Sequence, residues 1–223
     1  MRVRTVALAA ALVALAAAVH GNERRPGGGE THHDEEIVDD AGAFARPRRG
    51  RHDPVPNFGV IWERTLTRSG QPRSPEGWTW LRRQGVRSIV NFRTENDVDY
   101  AGVGFEHVLW LPFKASMPPK DADAERFLAL VRDPDNWPVH IHCKGGRDRT
   151  GLMAALVRYA IDGWPVERAL AEARSYRGGA NLAPHYVAWL RRWAAGHEPG
   201  SHRLATGKAA EPVVGMPPAS TVR

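Results

Sequence analysis

Ten consecutive residues constrain this chain more than any others: His142-Cys143-Lys144-Gly145-Gly146-Arg147-Asp148-Arg149-Thr150-Gly151. A short apolar run, Val139 to Ile141, leads into them and a long one, Leu152 to Ile161, follows, so they read as the turn between a buried strand and a buried helix. Such a turn gathers backbone N–H groups around one cavity and adds the positive end of the helix dipole, which together hold a phosphate. Gly145, Gly146 and Gly151 are expected to let the chain turn and let a ligand approach the main chain closely. Cys143 and Arg149, with five residues between them, fall at the two ends of the loop. The sulfur is then expected beneath a bound phosphorus, with the guanidinium forking two equatorial oxygens from the side.

The folded domain is expected over residues 55–196, from the pattern of apolar runs and turn signals. Val60 to Thr67 predicts a first strand, ended by a turn at Arg68-Ser69-Gly70-Gln71-Pro72. Ser74 and Pro75 open a helix with Trp78 and Leu81 facing inward and Gly85 closing it. Val86 to Phe92 and Phe105 to Leu111 predict two more strands, and Asp121 or Asp123 is expected to cap a helix carrying Phe127, Leu128 and Val131. Val139 to His142 is then the central strand, followed by helices over Thr150 to Asp162, Pro165 to Tyr176 and Pro184 to Trp193. Strands alternating with helices predict an α/β fold, a mostly parallel central sheet flanked by helices, with its ligand site at the carboxyl ends of the strands.

The flanks have a different composition. Residues 1–20 carry Arg2 and Arg4 ahead of an apolar run from Val6 to Val19, the pattern of a signal peptide or an amino-terminal anchor, and either one predicts an exported protein, periplasmic or extracellular. Residues 21–54, with three glycines at 27–29 and opposed acidic and basic clusters, read as a disordered linker. Residues 197–223 read as a disordered tail. The single cysteine excludes an intrachain disulfide framework, and a lone thiol in an exported chain suits a nucleophile. A formal charge of +6 suits an anionic substrate, with contact to a membrane surface possible, while no aromatic-basic module points to nucleic acid.

The loop resembles the signature of cysteine-dependent protein tyrosine and dual-specificity phosphatases, in which His-Cys, five residues, Arg, Thr or Ser, and Gly recur. Thr67-Arg68-Ser69-Gly70-Gln71-Pro72 and Gly85-Val86-Arg87-Ser88-Ile89-Val90-Asn91-Phe92-Arg93 with Glu95 are similar to the opening of small atypical members, the bacterial and fungal-plant branch. The resemblance continues through Gly163-Trp164-Pro165 and the helices after it, and implies a protein tyrosine phosphatase-like fold of the dual-specificity type.

Loop chemistry then assigns the roles. A helix amino terminus, aligned N–H donors and a guanidinium all favour the thiolate form of Cys143, which attacks phosphorus to give a phosphocysteine that water hydrolyses. Arg149 and the main chain of residues 144–149 stabilise the equatorial oxygens. Thr150 either donates a hydrogen bond to the leaving thiolate or caps the helix. His142 orders the loop from below or is an ordinary core histidine, and Lys144, Gly145, Gly146 and Arg147 complete the substrate-binding loop. No cofactor or metal is needed, although His140 and His142 share a strand face.

Much of the family supplies the leaving-group proton from an Asp on a separate loop, but Trp110 to Lys114 holds no carboxylate here. A subgroup carries an Asp immediately before the loop Arg, as Asp148 does, with the acid role; the resemblance so assigns Asp148, expected at the cavity rim, ahead of Asp121 or Asp123. The alternative for Asp148 is an ion pair with Arg147 or Arg149 that shapes the loop. A phosphorylated protein is the first substrate expected, and the charges of Lys144 and Arg147 make a phosphoinositide or inositol polyphosphate the alternative. A sulfurtransferase is disfavoured by Arg149 with Thr150-Gly151, and a non-catalytic phosphate-binding module by the presence of both Cys143 and Arg149.

Overall fold

The computed structural model describes residues 54–204. The signal segment, the linker before residue 54 and the tail beyond residue 204 lie outside the described residues. No helix among the described residues is long and apolar enough to cross a membrane.

Five strands form one sheet in the order β1-β2-β5-β3-β4. They are β1 (Gly59–Trp62), β2 (Leu66–Gly70), β3 (Ser88–Asn91), β4 (His107–Trp110) and β5 (Val139–Cys143). β2, β5, β3 and β4 run parallel, and β1 closes one edge antiparallel to β2. Among the described residues six α-helices interleave with them: α1 (Pro75–Arg83), α2 (Tyr100–Val103), α3 (Asp121–Arg132), α4 (Arg149–Ala160), α5 (Val166–Ser175) and α6 (Pro184–Ala195). The expected mixed fold with a mostly parallel sheet is the observed one.

Strand alternation sorts the core into two clusters, one on each face. Val139, Ile141 and Cys143 of β5 and Val90 of β3 pack with α3, α4, α5 and α6. Ile89 of β3 packs with Trp78, Leu81, Val86, Tyr100 and Phe105 around α1 and α2. α4 lies between the sheet and the outer helices, and eleven of its twelve residues are buried, which is why its sequence is apolar all round instead of striped.

Four expectations need correction. The predicted first strand is two strands, because Glu63-Arg64-Thr65 interrupts the apolar run and Arg64 sits at φ +62° in a turn closed by Thr65 N–H donating to the Trp62 carbonyl at 3.2 Å. Arg68 to Gly70, expected as a turn, are strand residues, since they pair in parallel register with Ile141 to Cys143. Asp121 and Asp123 do not cap α3; Lys120 holds that position, and both acids lie in the first turn. Finally, residues 197–204, assigned to a disordered tail, pack on the domain: Gly200 and His202 N–H donate to the carbonyls of Tyr159 and Ala160 at 2.9 and 2.8 Å, and the His197 ring stacks on Trp193. Short α2 was not foreseen; the Asp99 side chain closes it by accepting from Gly102 N–H at 2.9 Å.

Candidate active site

β5 carries the site to the carboxyl edge of the sheet. Gly70 of β2 lies beside Cys143, and Asn91 of β3 lies beside His142. The next residue of each neighbour locks the end of the strand: Gln71 N–H donates to the Cys143 carbonyl at 2.7 Å and Phe92 N–H to the His142 carbonyl at 3.0 Å. From there the chain turns through residues 144–148 into α4.

That loop is concave and rich in unused donors. Among the described residues, the backbone N–H groups of residues 144–148 make no hydrogen bond. Gly146 is the glycine that the turn requires, with φ +66° and so close an approach to β2 that an added Cβ would meet Gly70 N at 2.3 Å. Gly145 has no such demand, since nothing lies within 4 Å of its Cβ position, and at Gly151 the nearest neighbour, Leu182, is at 3.3 Å. The Gly146 carbonyl accepts from Arg68 Nη2 at 2.7 Å and from Asn57 Nδ2 at 3.0 Å.

Cys143 and Arg149 face one cleft of about 850 Å³, together with Lys144, Gly145, Arg147 and Asp148. Both are almost fully buried at its floor. Arg149 Nη1 donates to the carbonyls of Phe92 and Phe113 at 3.0 and 3.2 Å, which anchors one side of the guanidinium. Thr150 is fully buried in the first turn of α4 and its hydroxyl has no hydrogen-bond partner among the described residues, so it neither caps the helix nor bonds the sulfur at rest.

His142 lies below the loop, on the sheet face opposite Cys143. Its Nε2 shares a 3.0 Å hydrogen bond with the Tyr100 hydroxyl, and Trp78 packs edge-on at 5.2 Å. Burial, helped by the nearby Arg93 charge, lowers its pKa to about 3, so the ring is neutral at physiological pH. His140 is held the same way: its two ring nitrogens share 2.8 Å hydrogen bonds with the Thr67 and Ser69 hydroxyls, and burial pushes its pKa well below the usual histidine range. These partners saturate the ring nitrogens of His140 and leave the pair poorly placed as metal ligands.

Of the three candidate acids, the cleft contains Asp148. The Asp121 carboxylate instead accepts from Trp189 Nε1 at 2.9 Å and Arg192 Nη2 at 2.8 Å on α6, and Asp123 pairs with Arg126 along α3. Asp148 is ion-paired, though not with Arg147 or Arg149; its partner is Arg177, just beyond α5. Sequence adjacency suggested the wrong partner because the α5–α6 connection brings Arg177 to Asp148 at the loop rim.

Several cleft residues escaped the reading of the loop. Asn57, Gln71, Arg73 and Arg93 all line it. Arg93 is held by Asp97 at 2.5 Å and Glu95 at 3.4 Å, while its carbonyl accepts from Trp110 Nε1 at 2.8 Å. Arg73, Lys144 and Arg147 have no ion pair among the described residues, so the rim is strongly positive. The available signal was positional: Gln71, Arg73 and Arg93 each follow a strand that ends at the same sheet edge as β5.

The family described as DSP-PTPase phosphatase fused to NAD+ kinase matches residues 58–188. The chain is 34% identical over 116 residues to dual specificity protein phosphatase TpbA of Pseudomonas aeruginosa, covering 52% of this chain and 51% of that one. It is 30% identical over 137 residues to inositol diphosphatase DSP3 of Arabidopsis thaliana, covering 56% and 64%. The chain therefore spans about half the length of TpbA and less than two thirds of DSP3. A structure of P. aeruginosa TpbA carrying a cysteine-to-serine change, in complex with pTyr, matches with a TM-score of 0.51 at 28% identity, covering 70% of this chain and 99% of that one. The catalytic domain of the PP-IP phosphatase SIW14 from S. cerevisiae shares the fold, with a TM-score of 0.53 at 20% identity and coverage of 64% and 93%. The family match extends over more than half of the residues, the cysteine loop included, and by it the chain belongs to this DSP-PTPase phosphatase family.

Proposed function

We propose that the protein hydrolyses phosphomonoesters through a phosphocysteine intermediate, with phosphotyrosine-bearing or dual-specificity protein substrates as its principal targets. The observation that carries this reading is one juxtaposition: Cys143 and Arg149 meet at the floor of a cleft ringed by the unbonded amides of residues 144–148. In the first step Cys143 Sγ attacks phosphorus in line, the P–S bond forms as the P–O bond to the leaving group breaks, and the departing oxygen takes a proton. Asp148, at the rim, is the donor best placed for that proton. Water then attacks phosphorus and gives a proton to the carboxylate that the first step left on Asp148, the P–S bond breaks, and the sulfur leaves as thiolate. Charge moving onto the equatorial oxygens is met by Arg149 and the loop amides. The unpartnered Thr150 hydroxyl supports a role in the second step, since a buried hydroxyl without a partner costs about 1–3 kcal/mol until something accepts from it.

A second reading is favoured by the cations at the rim. Arg73, Lys144 and Arg147 surround an opening wider than one phosphate needs, and they suit an inositol polyphosphate or a phosphoinositide headgroup. A relative supports it: DSP3, 30% identical over 137 residues, is an inositol diphosphatase. The apolar run from Val6 to Val19 supports action outside the cytoplasm, with membrane-surface contact if it is retained as an anchor.

Phosphate release from phosphotyrosine peptides, inositol polyphosphates and phosphoinositide vesicles tests both readings. The wild type is expected to turn over at least one class, and Cys143→Ser to lose at least about a thousandfold on it. Comparable slow release by both proteins on every substrate would remove the phosphatase reading.

A further inference from the structure

We propose that Arg68 is a positioning residue for the phosphate loop, fixing the Gly146–Arg147 peptide from behind and supplying a second, hidden counter-charge to the Cys143 thiolate and the bound phosphoryl group. The proposal rests on the phosphatase reading above. Arg68 lies on β2 beside Ile141, is fully buried, and does not line the cleft. Its Nη2 donates to the Gly146 carbonyl at 2.7 Å, and its guanidinium carbon stands 3.8 Å over the centre of the Tyr176 ring. Nε and Nη1 have no hydrogen-bond partner among the described residues.

The first part of the argument is geometric. A trans peptide points its carbonyl and its N–H in opposite directions. Because Arg68 draws the Gly146 carbonyl into the protein interior, the Arg147 N–H is turned toward the concave side of the loop, where a phosphate oxygen would sit. Asn57 Nδ2 reinforces this from the amino-terminal side at 3.0 Å.

The second part is electrostatic. A guanidinium buried without a carboxylate is costly, and burial lowers the Arg68 pKa to about 10. The acids that oppose this effect are Tyr176, Glu172 and Cys143. Tyr176 presents its ring face, and both Glu172 oxygens accept from Arg158 at 2.8 to 3.2 Å. Cys143 lies two residues beyond Ile141, the β5 partner of Arg68, and so on the same sheet face, which makes its thiolate the cleft anion that Arg68 stands behind. Around that sulfur the other charged or titratable groups are Arg149 from α4, His142 beneath it on β5, Tyr186 from α6 and, at the rim, Asp148 with Arg177.

The test compares the full chain with Arg68→Met and Arg68→Lys, reading the pH profile of Cys143 alkylation by iodoacetamide together with kcat and KM on p-nitrophenyl phosphate. Arg68→Met is expected to raise the alkylation midpoint by about one pH unit and to lower kcat at least about tenfold, with KM moving less than about threefold. Arg68→Lys restores the charge and hence the midpoint, but not the directed Nη2 hydrogen bond to the Gly146 carbonyl, so its kcat stays low. An Arg68→Met midpoint within about 0.2 unit of wild type, with kcat within about twofold, overturns the proposal. Should Arg68→Met lose its native circular dichroism, Arg68→Lys decides: kcat at least about tenfold down at an unchanged midpoint supports positioning, and unchanged kcat overturns it. A wild type that releases no phosphate defeats the phosphatase reading alone, because the alkylation arm still reports on Arg68.

Discussion

Two guanidiniums near opposite ends of α4 are treated in opposite ways. Arg158, in the last turn, donates to both Glu172 oxygens and, at 2.9 Å, to Asp162, and it lies over the Trp164 ring. Burial disfavours its charge, but the hydrogen bonds to Glu172 and Asp162 outweigh that and raise its pKa. Arg68, behind the first turn, has one carbonyl and one ring for company, and its pKa falls. The difference separates structure from chemistry. At the carboxyl end of α4, charges are cancelled and their donors satisfied, which holds the helix to α5 and, through Trp62 Nε1 donating to Asp162 at 2.8 Å, to β1. At the amino end, the amides of residues 144–148 are left without partners around the cleft, and a phosphate is the group that completes them.

The comparison can be broken at either end. The largest effect is expected at the rim: Asp148→Asn should lower kcat at least about tenfold on an alkyl phosphate and less on p-nitrophenyl phosphate, whose leaving group needs little protonation. An equal, small loss on both substrates would leave Asp148 as the ion-pair partner of Arg177 alone. At the other end, Asp162→Asn removes a charge from the Arg158 network about 18 Å along the helix from the loop. It should destabilise the domain by about 1–3 kcal/mol in urea denaturation while kcat stays within about twofold. A large loss of kcat in the folded variant would mean that the two ends are not separate.

The smallest effect concerns the histidines beneath the loop. His140 and His142 are held neutral when folded, both far below the ordinary value of 6.5, whereas the unfolded chain protonates them near that value. Stability is therefore greatest above pH 6.5 and falls as pH drops from there toward about 3, because the unfolded state takes up protons that the native state refuses. Between pH 7.5 and pH 5.5 the two together should cost about 2–3 kcal/mol, measured as the shift in urea midpoint. A flat profile across that window would show that both rings accept a proton in place, and half the fall that one of them does.

Much of this was legible along the chain. The apolar runs on either side of the loop placed β5 and α4, and spacing alone put Cys143 and Arg149 together, because a strand, a tight turn and a helix leave little freedom over ten residues. Arg68 shows where this legibility stops. In sequence it belongs to a Ser-Gly-Gln-Pro stretch that reads as a turn, and only pairing with β5 makes it a strand residue whose side chain runs beneath the loop. Asp148 makes the same point, since its partner is Arg177 and not either neighbouring arginine.

The sequence by itself determined the fold class, the phosphate loop and its nucleophile, all of which rest on contacts between residues close along the chain and on hydrophobic periodicity. Tertiary structure alone decided which arginine pairs with Asp148, which strand-end arginines rim the cleft and which buried arginine backs it. Those choices depend on the order β1-β2-β5-β3-β4, which brings the ends of distant strands to one edge, and no local pattern encodes that order.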